Sequence, residues 1–241
     1  MIKTLVQAIV LLLLITGAYL LVSRVDWMKL FRIEKMTDAL EKKVGDIVWE
    51  GMKEQSVEEG KEYDRVDSLI SSLCKGNGIN RAKIKLHIMG NSEVNAFAMP
   101  DNHIVVHTGL INAVKNNDEL SGVLAHEIAH MELSHVMKKL LKQMGYTLLV
   151  SITTGEAGGE AIKQVLGMLS STAYDRKLEK DADIKAVEYL KKTGISANGF
   201  ADFLYRLGEK DDALGNLSWI STHPDSRERA KYIREEFNSN R

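Results

Sequence analysis

The chain has little of what disulfide-stapled or thiolate-based metal proteins depend on. Its 241 residues include one cysteine, Cys74, and two prolines. A single cysteine forms no disulfide within the chain and no cysteine-rich zinc cluster, so any metal ion must be held by histidine and carboxylate side chains. Aromatic residues make up only 6%. Together with the scarcity of proline, this favours a helix-rich globular protein over a sandwich of many short strands.

The chain also lacks an excess of charge of either sign. Lys and Arg total 32 against 33 Asp and Glu, which gives a formal net charge of −1. Proteins that bind nucleic acids generally carry a basic surface. The composition therefore predicts no nucleic-acid partner.

One stretch near the N-terminus has no charge at all. Residues 4–23 contain no Asp, Glu, Lys or Arg, and a helix of that length spans about 30 Å, the thickness of the hydrocarbon core of a bilayer. We predict a membrane anchor in residues 1–24. A cleaved signal peptide is the alternative, because residues 16–18 are small. The apolar run continues past them to Val22, which favours an uncleaved anchor.

The charges around this segment give conflicting indications of topology. Lys3 precedes it, whereas Arg24, Lys29, Arg32 and Lys35 follow it, and the positive-inside rule would place the rest of the chain in the cytoplasm. A leader of only three residues before the apolar run is typical of an export signal. We predict an extracytoplasmic, periplasmic domain on the strength of this leader, against the charge count.

The remaining chain predicts an α+β fold. Residues 25–64 form a juxtamembrane amphipathic helical segment in this prediction, with polar residues 53–64 as a loop or exposed helix end; a helix on the membrane surface is the alternative for the apolar part. Residues 65–241 form the main domain. Apolar and polar residues alternate over 82–89, and strands are also expected at 95–98 and 103–108. From Asp118 onward the periodicity is helical, so we expect a mainly helical domain with a small β-sheet.

The pentapeptide His126-Glu127-Ile128-Ala129-His130 lies within one of these predicted helices, with Asp118 as the expected cap. Residues four apart on a helix differ by about 40° in azimuth, so His126 and His130 share a face and can ligate one ion. Glu127 is turned away from the ligands but stays within reach of a water molecule at that ion. This arrangement is typical of zinc-dependent hydrolysis, in which a zinc-activated water attacks a carbonyl and a carboxylate acts as general base.

A third ligand is predicted from a second acidic segment. Glu179 and Asp183 stand four residues apart at the start of another predicted helix, so Glu179 can complete the metal site while Asp183 accepts a hydrogen bond from a ligand imidazole. The alternative for both residues is a solvent-exposed helix surface. The longer HExxHxxGxxH pattern fails, because Leu133 and Val136 occupy its glycine and histidine positions.

Four segments make the chain resemble a known family. They are NAFAMPDNHIVVHTGLI from Asn95, LAHEIAHMELSH from Leu124, YDRKLEKDAD from Tyr174 and THPDSRERA from Thr222. The chain resembles the HtpX and type I CAAX prenyl protease group, family 48 of the zinc metallopeptidases, of the gluzincin type, and only one anchor is visible here. The resemblance implies a zincin-like domain with one Zn²⁺ per chain.

The resemblance also implies roles for individual residues. It makes His126, His130 and Glu179 the zinc ligands and places His223 near the metal as a catalytic residue or as a ligand in a resting state, with Arg229 bracing its loop. It implies a sheet edge that takes up an extended or unfolded polypeptide substrate as an added strand. That edge comprises Asn95, Ala96, Phe97 and Ala98.

Other polar residues receive simpler interpretations. His135 is rotated by about 140° from His130 on a helix, so we expect it to pack or to form hydrogen bonds rather than to bind metal. Three histidines of the predicted strands are expected at the surface or at the edge of the core: His87, His103 and His107. Lys138, Lys139 and Lys142 are expected to form a solvated helix face.

These observations favour a membrane-anchored zinc metalloendopeptidase that acts on misfolded or damaged envelope proteins, with the substrate class implied by the resemblance alone. The alternative is an inactive zinc-binding chaperone or scaffold of the same fold. Glu127 argues against it, because a purely structural zinc site needs no base beside its ligands. An anchored adaptor with an accidental motif is a third possibility, which the four matched segments disfavour.

Overall fold

The computed structural model describes residues 33–57, 60–209 and 218–239. The chain divides into two units, Met1–Leu40 and Glu41–Arg241. Of the first unit only residues 33–40 are described, and they begin helix α1. The predicted anchor in residues 1–24 lies outside the described residues. Within the part that is described, no helix has both the length and the apolar character that a membrane crossing requires.

The described part of the chain is mostly helical. Its helices are α1 (Ile33–Glu50), α2 (Lys61–Asn77), α3 (Thr108–Ala113), α4 (Asn117–Glu132), α5 (His135–Thr154), α6 (Gly158–Ser171), α7 (Arg176–Lys192), α8 (Ala197–Gly208), α9 (Ser218–Thr222) and α10 (Ser226–Ser239). The strands are β1 (Ser56–Val57), β2 (Lys85–Met89), β3 (Ala96–Met99) and β4 (His103–His107), and short 3-10 helices occupy Lys53–Gln55 and Arg81–Lys83. The predicted α+β fold is confirmed in its outline of many helices and one small sheet.

The sheet has four strands in the order β1-β2-β4-β3. β2 and β4 are parallel, β3 is antiparallel to β4, and β1 is antiparallel to β2. The three strands expected from the alternation are all present. β1 adds a fourth within the polar segment that we predicted as a loop or helix end, and two residues are too few to give an alternating pattern. β3 forms one edge of the sheet.

Helix α4 lies at the centre of the domain. It packs against β3 on one side and against α2, α5, α7 and α8 elsewhere, and every residue from Glu119 to Met131 is buried. Such a helix is apolar on more than one face and can carry polar side chains only where they find partners. The pentapeptide from His126 to His130, an HExxH motif, therefore lies inside the protein and not on its surface.

The start of α4 differs from the prediction by two residues. The N-cap is Asn116, whose side chain accepts a hydrogen bond from the Glu119 backbone N–H at 2.9 Å. Glu119 in turn accepts from the Lys115 N–H at 2.7 Å. Asp118, the expected cap, already lies within the first turn, where its negative charge interacts favourably with the helix dipole.

Two glycines allow α4 and α8 to cross closely. A Cβ atom on Gly122 would overlap the Phe200 side chain and lie 2.9 Å from the Phe200 Cα. A Cβ on Gly199 would lie 2.6 Å from the Asp118 Cβ. The close approach brings Phe200 to within 5.7 Å of the His126 ring, measured between ring centroids. Because these two positions are glycine, α8 can pack directly against α4, the helix that carries the motif.

We expect Gly122→Ala to destabilise the protein by about 1–3 kcal/mol, because the added methyl group overpacks the helix crossing. Gly167→Ala is the matched control on α6, where an added Cβ meets nothing within 4 Å; it should raise the free energy of unfolding by about 0.5–1 kcal/mol. Urea unfolding followed by circular dichroism measures both. A neutral Gly122→Ala would show that α4 and α8 do not cross this closely.

Candidate metal centre

Helices α4 and α7 bring three predicted ligands together. The Nε2 atoms of His126 and His130 lie 3.0 Å apart. Glu179, in the first turn of α7, places Oε1 at 3.2 Å from His130 Nε2 and Oε2 at 3.6 Å from His126 Nε2. The structure therefore brings these three residues together from two distant segments of the chain, and Glu179 is buried rather than exposed on a helix surface.

His223 joins this group from the turn between α9 and α10. Its Nδ1 lies 2.9 Å from Glu179 Oε1 and 3.2 Å from His126 Nε2. Donor atoms of all four residues, His126, His130, Glu179 and His223, lie within 4.8 Å of one another. His223 Nε2 is buried and has no hydrogen-bond partner in the described part of the chain.

The separations of these donor atoms fit a tetrahedral metal ion. Zinc bonds to nitrogen and oxygen are about 2.0–2.2 Å long, which places the ligand atoms about 3.3–3.6 Å apart at tetrahedral angles. The distances of 2.9–3.6 Å between donor atoms lie close to this range. The residues therefore fit a divalent ion held by histidine and carboxylate.

Hydrogen bonds on the far side of the rings set which nitrogen faces the ion. His126 Nδ1 lies 2.9 Å from Asp183 Oδ1, and His130 Nδ1 lies 3.1 Å from His135 Nδ1. A carboxylate can only accept, so His126 carries its proton on Nδ1, and Nε2 presents a lone pair. Burial lowers the pKa of His126 to about 3 despite Asp183. Two aligned lone pairs 3.0 Å apart repel each other unless a cation lies near both.

His135 forms a hydrogen bond as expected, in contact with a proposed ligand, but the helix geometry behind that prediction is wrong, because α4 ends at Glu132 and His135 begins α5. Burial, with His130 nearby, lowers its pKa to about 4. A neutral His135 can accept the proton of His130 Nδ1, which leaves His130 Nε2 free to bind metal.

Arg229 pairs with the two buried carboxylates of α7, Glu179 and Asp183. Its guanidinium donates to the two Asp183 oxygens at 2.7 Å each, and Nη1 lies 2.6 Å from Glu179 Oε2. The Tyr232 hydroxyl also donates to Asp183. Burial alone would raise the pKa of Asp183, but Arg229 and His126 outweigh it and hold the value at about 2. Burial opposes ionisation of Glu179 too, yet Arg229 and His223 hold its pKa well below the usual range.

Glu127 stands beside the group without belonging to it. Its Oε2 accepts from the Ala98 backbone N–H of β3 at 3.0 Å, and its Oε1 accepts from Trp219 Nε1 at 3.4 Å. His223 Nε2 lies 3.4 Å from Oε1. Burial raises the pKa of Glu127 to about 7 in the metal-free protein. A carboxylate with this pKa exchanges protons readily near neutral pH, as a general base must.

The remaining polar predictions have mixed outcomes. His87, His103 and His107 are buried in the sheet, outside the four-residue group. His103 does belong to a second group with Asp46 and Asp101, but the Lys85 ammonium lies 3.2 Å from His103 Nε2 and 3.6 Å from Asp46 Oδ1 and supplies a cation there. Lys138 and Lys142 are exposed as expected. The prediction for Lys139 is wrong, because its side chain is buried.

Two aromatic residues at the site were missed by the sequence reasoning. Trp219 stacks on His223 with ring centroids 4.4 Å apart, and Tyr174 stacks on His130 at 4.1 Å. Trp219 stands one helical turn before His223, and the His223 N–H donates to the Trp219 carbonyl at 2.9 Å. That four-residue spacing was a readable signal for Trp219. Tyr174 had no such signal, because stacking across loops leaves no periodic pattern.

Comparison with known proteins identifies the family. The model of peptidase family M48 matches residues 61–237, most of the chain. The chain belongs to peptidase family M48. It is similar to the metalloprotease YcaL of Escherichia coli K12, with 32% identity over 173 residues, and to the metalloprotease LoiP of the same organism, with 30% identity over 182 residues. Bovine mitochondrial metalloendopeptidase OMA1 is 28% identical over 190 residues.

The coverage of these relatives differs. The match spans 68% of this chain and 66% of YcaL, and 73% of this chain and 70% of LoiP. For OMA1 it spans 71% of this chain but 36% of the relative. The predicted enzyme class is confirmed: the chain is an M48 metalloprotease. None of these three relatives is named as an HtpX or CAAX prenyl protease, so that narrower resemblance stays a prediction.

We expect Glu127 to make the metal-free M48 protease less stable as the pH rises. Its pKa is 4.5 ordinarily and about 7 in the folded protein, so the unfolded chain loses this proton first. The destabilisation of the folded state by Glu127 is absent below about pH 4.5 and grows as the pH rises to about 7. Above that pH it stays constant at about 3 kcal/mol.

Urea unfolding with a chelator present, from pH 4.5 to 8, measures this effect. The stability of Glu127→Gln relative to the wild type should increase over that interval. Glu132→Gln, at an exposed position of the same helix, should follow the wild type at every pH. A constant difference between the wild type and Glu127→Gln would contradict the raised pKa.

Proposed function

We propose that this M48 protease is a zinc metalloendopeptidase in which His126, His130 and Glu179 hold one Zn²⁺ per chain. The observation that supports this proposal is the convergence of donor atoms from these three residues, which lie 3.0–3.6 Å apart, close to tetrahedral spacing. They lie beside Glu127, a buried carboxylate whose pKa is raised to about 7. Zinc, when bound there, supplies a Lewis acid that activates water and polarises a peptide carbonyl. The donor set of two histidines and one glutamate is one that catalytic zinc uses.

Glu127 acts as the general base in this proposal. It takes the proton of the attacking water and delivers it to the departing amine. Before a substrate strand binds, the Ala98 N–H and the Trp219 indole hold its two oxygens in place. Asp183, itself held by Arg229, keeps His126 in the tautomer that binds metal.

His223 has two compatible positions in this reaction. Its Nδ1 lies at ligand spacing from Glu179 and His126, which supports a resting arrangement in which His223 completes the metal site. Turned away from that position, the same side chain would donate a hydrogen bond to the oxyanion that develops on the peptide carbonyl.

The edge of β3 suits an extended substrate. Asn95 accepts from the His107 N–H at 3.0 Å, and Phe97 and Met99 face Val105 and His103 in the same register. The backbone groups of Ala96 and Ala98 therefore point outward, as the Ala98 N–H to Glu127 also indicates. We propose that residues 95–98 bind polypeptide as an added strand, which gives affinity without regard to side chains.

Substrate access requires a movement of the surrounding structure. His126, Glu127, His130 and His223 are each 0% exposed. Helix α6 packs against both β3 and α9, and Asn95 Nδ2 donates to the Ser170 carbonyl at the end of α6. The proposed endopeptidase therefore exposes its edge strand only after this cover shifts.

The cellular setting completes the proposal. Residues 1–24 form a single membrane anchor, 25–64 a juxtamembrane segment and 65–241 the zinc metallopeptidase domain, which lies on the extracytoplasmic side. The substrates are misfolded or damaged envelope proteins. This is supported by the uncharged run in residues 4–23 and by a further relative from Yersinia pestis, named beta-barrel assembly-enhancing protease, which is 24% identical over 192 residues. We retain the HtpX-like, single-anchor type as part of this proposal.

We expect Glu127→Gln to retain zinc and to lose cleavage of an unfolded test protein by about 10²–10⁴-fold, the usual contribution of a general base. Glu132→Gln serves as the control at an exposed position of the same helix. Zinc content and initial cleavage rates measure the outcome. Equal cleavage by Glu127→Gln and the wild type would contradict the assigned base, and a zinc-loaded wild type without cleavage would favour the chaperone or scaffold alternative.

The assignment of Glu179 is tested through metal retention. Glu179→Ala removes one of three ligands, so zinc should dissociate from it at least about tenfold more readily, since even loss of an outer hydrogen-bond partner has that effect. Asp181→Ala is the matched control, because Asp181 is an exposed carboxylate of the same helix. Competition with a chromogenic chelator measures both. Unchanged affinity in Glu179→Ala would place the third ligand elsewhere.

A further inference from the structure

Lys139 is a buried cation that the proposed mechanism does not use. Its side chain on α5 is 4% exposed, whereas the neighbouring Lys138 is exposed. A buried ammonium group is costly unless it finds compensating partners. The Nζ atom donates to the Thr172 carbonyl and lies 4.2 Å from the centroid of the Tyr174 ring. Both partners belong to the segment 172–175 between α6 and α7.

Tyr174 extends this contact to the metal centre. Its ring stacks on His130 at 4.1 Å with an interplanar angle of 29°, and on His223 at 5.5 Å and 28°. Its backbone N–H donates to the carbonyl of Thr222 at 3.0 Å, directly before His223. The ring therefore supports one proposed ligand from α4, His130, and His223 of the α9–α10 turn.

We propose that Lys139 is a positioning residue that holds Tyr174 against His130 and His223 and so fixes the orientation of both imidazoles in the resting arrangement. The inference rests on the proposed zinc site, to which Lys139 and Tyr174 contribute no ligand. A cation over one face of an aromatic ring attracts that ring more strongly in a desolvated position than at an exposed one. The hydrogen bond from Lys139 Nζ to the Thr172 carbonyl also holds the loop segment that carries the Tyr174 ring.

The charge of Lys139 is compatible with this role. Burial lowers its pKa to about 8, while Glu127 and Glu179 oppose that shift. The side chain is therefore mostly protonated at neutral pH and can interact with the ring as a cation. Replacement by methionine keeps most of the volume and removes the charge and the donor, so the folded protein should tolerate it.

Lys139→Met is the central variant, with Lys138→Met as the control because Lys138 is exposed and, among the described residues, donates only to the nearby Leu133 carbonyl. In Lys139→Met we expect zinc release to a chelator to become about tenfold faster, as for loss of other partners of metal ligands. We expect kcat to fall with little change in KM, and Lys139→Arg to restore most of both. Lys138→Met should match the wild type in each measurement.

A double-mutant cycle separates positioning from general stabilisation. Tyr174→Leu should reproduce the effects of Lys139→Met, and the double variant should be little worse than either, because both act through one contact. Tyr174→Phe keeps the ring and should resemble the wild type. Effects of Lys139→Met and Tyr174→Leu that simply add, or zinc release unchanged in Lys139→Met, would overturn the proposal.

A metal-free readout keeps this inference distinct from the proposed function. The ring current of Tyr174 shifts the carbon-bound proton signals of the His130 and His223 rings, so NMR of the metal-free protein reports their stacking. We expect these signals to move in Lys139→Met and to stay in Lys138→Met. If the wild type holds zinc without cleaving peptides, the proposed function fails while zinc release still decides the role of Lys139. If it holds no zinc, unchanged imidazole signals in Lys139→Met overturn the proposal.

Discussion

The pairing of Arg229 with Asp183 and Glu179 is the interaction on which the rest of the site depends. Both carboxylates are buried, and two like charges in a low-dielectric interior would take up protons unless a cation compensated them. A planar guanidinium meets both because it offers several donors in one plane. Asp183 can then accept from His126 as a full anion, so one arginine outside the donor group determines which imidazole nitrogen faces the ion.

The same bookkeeping of buried charges gives a reason for the metal. Among the described residues at the site, three carboxylates, Glu127, Glu179 and Asp183, face two cations, Arg229 and Lys139. With Glu127 ionised, one negative charge lacks a partner, and burial accordingly raises its pKa to about 7. A divalent cation between the imidazoles would reverse that imbalance and favour the ionised base. The protein thus carries a carboxylate that is poorly ionised without metal and better ionised with it.

The parts of this site that follow helical periodicity could be predicted from the sequence. His126 with His130, and Glu179 with Asp183, are pairs at four-residue spacing, and each pair projects from one face of its helix. That the two pairs would meet was predicted from chemistry, because a zinc site with two histidines needs a third ligand. Lys139 could not be predicted in the same way: its stem and charge fit a solvated helix face equally well, and only the position of the loop around Tyr174 decides between the two. β1 was missed because a strand of two residues gives no alternating pattern. The cap at Asn116 was missed because Asn116, Asn117 and Asp118 follow one another, and the sequence does not distinguish which of them caps the helix.

The closed state of the site follows from the way one strand serves two partners. The outward N–H of Ala98 donates to Glu127, and the outward groups of the same strand are those that an added substrate strand would use. While α6 covers this edge, Glu127 is held between Ala98 and Trp219 in a buried interior. In the proposed reaction, a substrate strand that displaces this cover would bring its carbonyl to the place where, among the described residues, Glu127, the three donors and His223 meet. Binding to the edge and assembly of the reactive site would then be coupled, and cleavage would be restricted to chains that can adopt an extended conformation.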